Sequence, residues 1–163
     1  MNLSFTSTYQ SKVDAKGRMS IPAKFRRVIE AGDPSWAPDQ PMTAKILYGK
    51  HLGESLQVLT MEAFDAKIAR VMAMPDSDPN KNKLRKLFMG FSEDLTIDKD
   101  GRVVLSLRLR EKLGLVEGEL SFMGLGEYFQ IWKVENFETE VDEPLDEWLS
   151  EMGDDFDPMS LVP

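Results

Sequence analysis

The sequence predicts an α+β protein made of two related half-domains in tandem, followed by an acidic tail. Three observations carry that expectation. The pattern Asp-x-x-Gly-Arg occurs twice, at Asp14–Arg18 and at Asp98–Arg102, 84 residues apart. Downstream of each copy, Ile21, Phe25, Arg26 and Ile29 match Leu105, Leu109, Arg110 and Leu113 at identical spacing, and a repeat of this kind constrains the whole fold. Short runs rich in β-branched and aromatic residues, punctuated by Gly and Pro, alternate with segments of helical periodicity.

The elements follow in order. Residues 4–13, rich in Ser, Thr and aromatics, read as a strand. Asp14 to Gly17 form a tight hairpin in which Gly17 supplies a positive φ. Arg18 to Ile21 return as a short strand, and Pro22 opens a helix at 22–30, where its missing N–H is no loss. Phe25, Val28 and Ile29 share one face of that helix, with Arg26 and Arg27 opposite. Gly32 and the Pro-rich stretch 33–41 end it. Strands at 44–48 and 55–59 come next, and Thr60 can cap a helix at 61–74. Pro75 and Pro79 bracket a break before a basic helix at about 80–89 (Lys81, Lys83, Arg85, Lys86). The second copy repeats the plan: a strand ending at Ile97, the hairpin 98–101, strand 102–105, helix 107–113 closed by Gly114, and strands 118–123 and 127–133. Leu145, Trp148, Leu149 and Met152 then recur at helical spacing in 142–152, and 153–163 reads as disordered.

The chain has 163 residues and a net charge of −8, but the charge is unevenly placed. Eleven of the 28 acids lie in residues 135–163, where there is no base, leaving 17 acids and 20 bases in residues 1–134. Residues 12–27 hold Lys12, Lys16, Lys24, Arg18, Arg26 and Arg27 against Asp14 alone. A basic surface with an acidic tail is the charge footprint of a nucleic-acid binder. With no cysteine and the single histidine His51, disulfides, thiolate zinc sites, His-based metal clusters and the usual catalytic dyads are excluded. No apolar run approaches the ~18 residues of a membrane span, and no signal-type apolar region opens the chain, so a soluble cytoplasmic protein is expected.

The repeated motif admits two roles. Asp14 and Asp98 can cap the turn through backbone amides and pair with Arg18 and Arg102 across it. Alternatively, the hairpin tips carry Lys16, Arg18, Lys99 and Arg102 outward to phosphates and base edges. Arginine serves either role, because its planar fork matches a carboxylate, a phosphate or the guanine edge. For Arg26 and Arg27, a phosphate contact and a solvated helix face are both open.

The string from Asp14 to Arg26 resembles the N-terminal signature of the MraZ family of bacterial transcription regulators. Asp98–Arg102, Leu109-Arg110-Glu111, the run Gly124–Trp132 and the segment Lys83–Gly90 resemble that family's later part, so the likeness spans about residues 5–140. It implies two AbrB-like swapped-hairpin units related by a pseudo-two-fold axis, with a first repeat at 5–75, an inter-repeat helix at 76–90, a second repeat at 91–140 and an acidic tail at 141–163. It also implies a ring-shaped homo-oligomer, nucleoid-associated, that needs no cofactor and binds repeated double-stranded promoter elements of the division and cell-wall gene cluster. The DNA-contacting positions it implies are Asp14, Arg18, Asp98 and Arg102, with Lys16 beside them. Lys24, Arg26, Arg27 and Lys99 are further candidates from charge and placement. Two departures stand out. Ser106 replaces the proline commonly found before the second helix, and Asp100 stands where the first copy has Lys16. Arg18 is therefore expected to matter more than Arg102 for DNA binding.

Other functions fit less well. The acids Asp98 and Asp100 have no partnering nucleophile or pocket motif, which argues against an enzyme. An antitoxin-like or structural protein-interaction module would share the β fold but not the duplication, and a sequence-independent DNA coater would show no specificity ratio. The acidic tail reads as a solubilising appendage, with competition for the basic face, or docking on a neighbouring subunit, as the sharper alternatives.

Overall fold

The computed structural model describes residues 3–163. The chain runs β1 (Thr8–Val13), β2 (Arg18–Ser20), α1 (Ala23–Ala31), β3 (Met42–Leu47), β4 (Ser55–Thr60), α2 (Met61–Met72), α3 (Pro79–Arg85), β5 (Ser92–Ile97), β6 (Arg102–Val104), α4 (Leu107–Leu113), β7 (Gly118–Gly124), β8 (Tyr128–Lys133), α5 (Val134–Phe137) and α6 (Glu143–Met152). It divides into two compact units, the first extending to Lys133 and the second covering Val134–Pro163.

The two sequence copies are interleaved in the first unit. Its six-stranded antiparallel sheet has the order β1-β7-β8-β4-β3-β5, and β2 pairs with β6 in a separate two-stranded ribbon. Exchanging the corresponding strands of the two copies (β1 for β5, β3 for β7, β4 for β8) and reversing the order returns the same sheet. Each copy's first strand thus pairs with the third strand of the other copy, and β4 and β8 meet at the centre. Half-domains of this size are marginal alone, and interleaving lets them close one core between them.

That core is aromatic at its centre. Phe25 from α1 lies 5.3 Å from Phe5, 5.1 Å from Tyr9 and 4.5 Å from Phe129, measured between ring centroids. Ile21, Ile29, Ile97, Leu105, Leu109 and Leu113 are also buried, so the matched apolar positions of the two copies face one interior. The helix starts differ. Pro22 precedes α1 without a side-chain cap, whereas Ser106 caps α4 by accepting from the Leu109 amide at 3.3 Å. The serine that departs from the family pattern therefore supplies a cap in place of proline's fixed φ. Thr60 caps α2 in the same way, from the Ala63 amide at 3.1 Å.

Several boundaries differ from the sequence expectation. The first strand starts at Thr8, because Ser7 has a positive φ of 82° that turns the chain after the isolated bridge from Phe5 to Gly126. The helix expected at 80–89 ends at Arg85 and continues as a π-turn over Lys86–Gly90. Helical structure resumes directly after β8 at Val134. The disorder expected at 153–163 is corrected: Asp157 caps a 3-10 turn at Pro158–Leu161, and Phe156 stacks edge-on against Trp148 with 5.6 Å between centroids. Apolar residues scattered among the acids supply this local packing, which composition averages conceal.

Candidate nucleic-acid interface

Each hairpin is fixed by its aspartate. Asp14 Oδ1 accepts from the amides of Lys16 and Arg18, both at 2.9 Å, and its Oδ2 accepts from Arg18 Nε at 2.7 Å. Asp98 Oδ1 likewise accepts from the Asp100 and Arg102 amides at 2.9 Å. The side-chain pairing then diverges. Arg102 Nε stands 3.4 Å from Asp98, while its Nη2 reaches Asp100 at 2.8 Å. The departure at position 100 thus draws the outer edge of Arg102 onto a carboxylate, which the first copy lacks at Lys16. The amide of Arg18, then its side chain, hold the Asp14 carboxyl below its ordinary value, and the Arg102 amide does the same for Asp98. The structural role of both aspartates is therefore realised, and the two arginines are anchored by one end.

Beyond the turns, the chain returns along β2 and β6, which pair Arg18 with Val104 and Ser20 with Arg102. Side chains alternate across a strand. Met19 and Val103 accordingly point inward and are buried, while Arg18, Ser20, Arg102 and Val104 form the exposed face. The arginine side chains are 62% and 64% exposed, and they sit diagonally on one narrow ribbon. Two shallow concavities flank it, and both arginines line both of them. One, of about 440 Å³, also takes in Lys12 and Asp14; the other, of about 590 Å³, takes in Asp94, Asp98 and Val104.

The remaining candidates scatter. Lys16 and Lys99 are exposed at the hairpin tips, and Arg27 is exposed on α1. Lys24 Nζ lies 3.4 Å from Ser7 Oγ. Arg26 requires correction, because it is not on a solvated helix face. Its Nε is buried with no hydrogen-bond partner among the described residues, and its guanidinium lies over Gly101 of the other copy's hairpin. The matching Arg110 is 8% exposed and donates to the carbonyls of Leu105, Ala15 and Val116 at 3.0–3.1 Å. The repeat pattern flagged Arg110 but gave it no role. Ser20 and Val104 were missed as well, although alternation along 102–105 places Val104 beside Arg102 on the outer face.

This geometry is matched by sequence likeness over almost the whole chain. A protein named Transcriptional regulator MraZ from Ruegeria pomeroyi is 42% identical over 158 residues, covering 97% of this chain and 94% of its own length. The chain belongs to the MraZ family. A second relative of that name, from Ruegeria sp. (strain TM1040), is 40% identical over 162 residues, covering 99% of this chain and 96% of its own. A third, from Cereibacter sphaeroides (strain ATCC 17025), is 36% identical and covers 84% of each chain. The family model described as "MraZ protein, putative antitoxin-like" matches residues 87–152, which take in the second hairpin, β6 and α4.

Proposed function

We propose that this MraZ-family chain is a sequence-specific, DNA-binding transcription regulator that reads its operator with the β2/β6 ribbon. The observation that carries this reading is the pair Arg18 and Arg102, exposed on one face of a two-stranded ribbon and each tethered by an aspartate. A two-stranded ribbon fits the major groove, where an arginine fork reads guanine. Lys12, Lys16 and Lys99 contact phosphates on either side and set the register. The interleaved strand order supports two AbrB-like swapped-hairpin units joined in one chain.

One ribbon offers few phosphate contacts, and each adds only a salt-dependent increment to affinity. Several ribbons in a ring-shaped homo-oligomer, meeting promoter elements repeated in phase, give the avidity that one lacks. The targets in this reading are the division and cell-wall gene cluster and the protein's own promoter. Arg102 is partly committed to Asp100, so Arg18 carries the larger share of base contact.

A titration at one fixed salt concentration tests this, using a duplex from upstream of the protein's own gene beside a scrambled duplex. Wild type should prefer the promoter duplex. Arg18→Ala should lose about 5- to 150-fold in affinity, the span of one bidentate base contact, and Arg102→Ala should lose less. Equal losses would refute the ordering. No preference over scrambled DNA would refute the regulator and favour a protein-interaction module, a reading motivated by the exposed Leu145, Trp148, Leu149 and Met152 of α6.

A further inference from the structure

We infer that each DNA-reading hairpin is positioned by an arginine from the opposite sequence copy, with Arg110 a tight brace for the first hairpin and Arg26 a loose one for the second. The inference rests on the reading of the ribbon as the DNA-binding element.

Arg110 stands on α4, downstream of the second hairpin, yet its guanidinium serves the first. Its Nε donates to the Leu105 carbonyl at 3.1 Å, and its Nη1 donates to Ala15, inside the first turn, at 3.1 Å and to Val116 at 3.0 Å. Leu105 in turn donates its amide to the Gly17 carbonyl at 2.7 Å. One buried charge thus ties together the tip of the first hairpin, the end of β6 and the segment entering β7. A charged donor satisfied by neutral carbonyls in a buried site holds its partners in fixed geometry, because releasing any of them strands the charge. A lysine cannot replace it, having one nitrogen where three carbonyls on separate segments need the width of a fork.

The same register places Arg26 against the second hairpin. A Cβ on Gly101 would lie 2.7 Å from Arg26 Cδ and Nη1, so the side chain is packed over that turn. Its Nε, however, finds no hydrogen-bond partner among the described residues. Ile21 donates its amide to the Gly101 carbonyl at 2.8 Å, as Leu105 does to Gly17, so the difference lies in the arginine: Arg26 packs where Arg110 clamps carbonyls, and the second hairpin is left more adjustable. The two copies therefore differ in stiffness as well as in charge. The turn that carries Arg18 is held in one fixed place, while the turn that carries Arg102 can accommodate variation between operator elements.

Amide hydrogen exchange on the full-length protein without DNA tests the brace directly. Arg110→Lys should speed exchange of the Gly17 and Arg18 amides about tenfold or more while leaving Gly101 and Arg102 unchanged. Arg26→Lys should act only on Gly101 and Arg102, about threefold or less, and it provides the mirrored test if Arg110 proves irreplaceable for folding. Equal changes in both hairpins, or none in either, would overturn the inference. A promoter titration supplies a second readout. Arg110→Lys should lose about tenfold in affinity alone and again on an Arg102→Ala background, but less than twofold on Arg18→Ala, since residues acting through one contact are not additive. Equal increments on both backgrounds would overturn the positioning role. Failure of wild type to prefer promoter DNA would instead sink the DNA reading and leave the exchange result standing on its own.

Discussion

Alanine at the two hairpin glycines makes a matched comparison. Gly17 and Gly101 have nearly the same positive φ, 85° and 81°, so alanine meets the same backbone strain at each, about 1–2 kcal/mol. What the new methyl group meets is different. At position 17 it would lie 2.2 Å from the Leu105 carbonyl oxygen, a backbone atom that also accepts from Arg110. Relief requires the ribbon to open there, loosening the 2.7 Å bond from the Leu105 amide to the Gly17 carbonyl and the charged bond from Arg110. A neutral hydrogen bond contributes about 1 kcal/mol and one to a charged group about 1.5–3 kcal/mol, so Gly17→Ala should cost about 4 kcal/mol in all. At position 101 the methyl meets the Arg26 side chain, whose Nε has no bond to lose among the described residues. The cost there should stay near the strain alone, about 2 kcal/mol with the displacement of the side chain. For a chain of this length each kcal/mol moves Tm by about 2–4 °C. Thermal unfolding followed by circular dichroism, at matched protomer concentration, should therefore place Gly17→Ala about 4–8 °C below Gly101→Ala. Equal shifts, or the reverse order, would refute the argument that Leu105 and Arg110 close the first hairpin.

Two further outcomes follow from the core and from the capped turns. Phe25 is fully buried with Phe5, Tyr9 and Phe129 around it, so Phe25→Ala should lower stability by about 3–5 kcal/mol in denaturant titration, and a loss under about 1 kcal/mol would mean that the aromatic cluster does not hold the halves together. The Asp14 and Asp98 carboxyls titrate below their ordinary 3.8 in the folded chain. Their stabilisation is thus complete above that value and is lost as pH falls through the lower, folded one. Between pH 5 and pH 2 the variant with both Asp14→Asn and Asp98→Asn should lose stability less steeply than wild type; parallel curves would show that the aspartates do not hold the turns.

Much of this architecture was legible because local chemistry and fold agreed. Gly17 and Gly101 mark the hairpins, Thr60 and Gly114 mark helix ends, and the matched apolar positions all reached the shared core. The aspartate cap was legible for the same reason, since it acts within four residues of its own turn. What sequence spacing could not supply was pairing between distant segments. It set Arg26 beside Arg27 on an outer face, because helical periodicity knows nothing of a second hairpin folding over that face. It gave Arg110 no role, because its acceptor Ala15 is 95 residues away. The interleaving of the copies was available only through family likeness, since either copy could pair its own strands without changing a residue pattern. The tail misled through its composition, where Phe156 and Trp148 pack locally amid eleven acids.

The strand order also has a consequence for how the chain is made. Gln10, early in the sequence, donates to Ser121, 111 residues later, and all of β1 waits for β7 as its partner. A ribosome releasing the chain from its N-terminus therefore exposes Phe5 and Val13, both destined for full burial, until nearly the whole first unit has emerged. Nor can β2 complete its ribbon before β6 appears. Closing such long loops slows folding, and an unpaired apolar strand is open to wrong partners in the meantime. The first copy can pair β3 with β4 during synthesis, but its β1 and β2 acquire their partners only with the second copy, at the end.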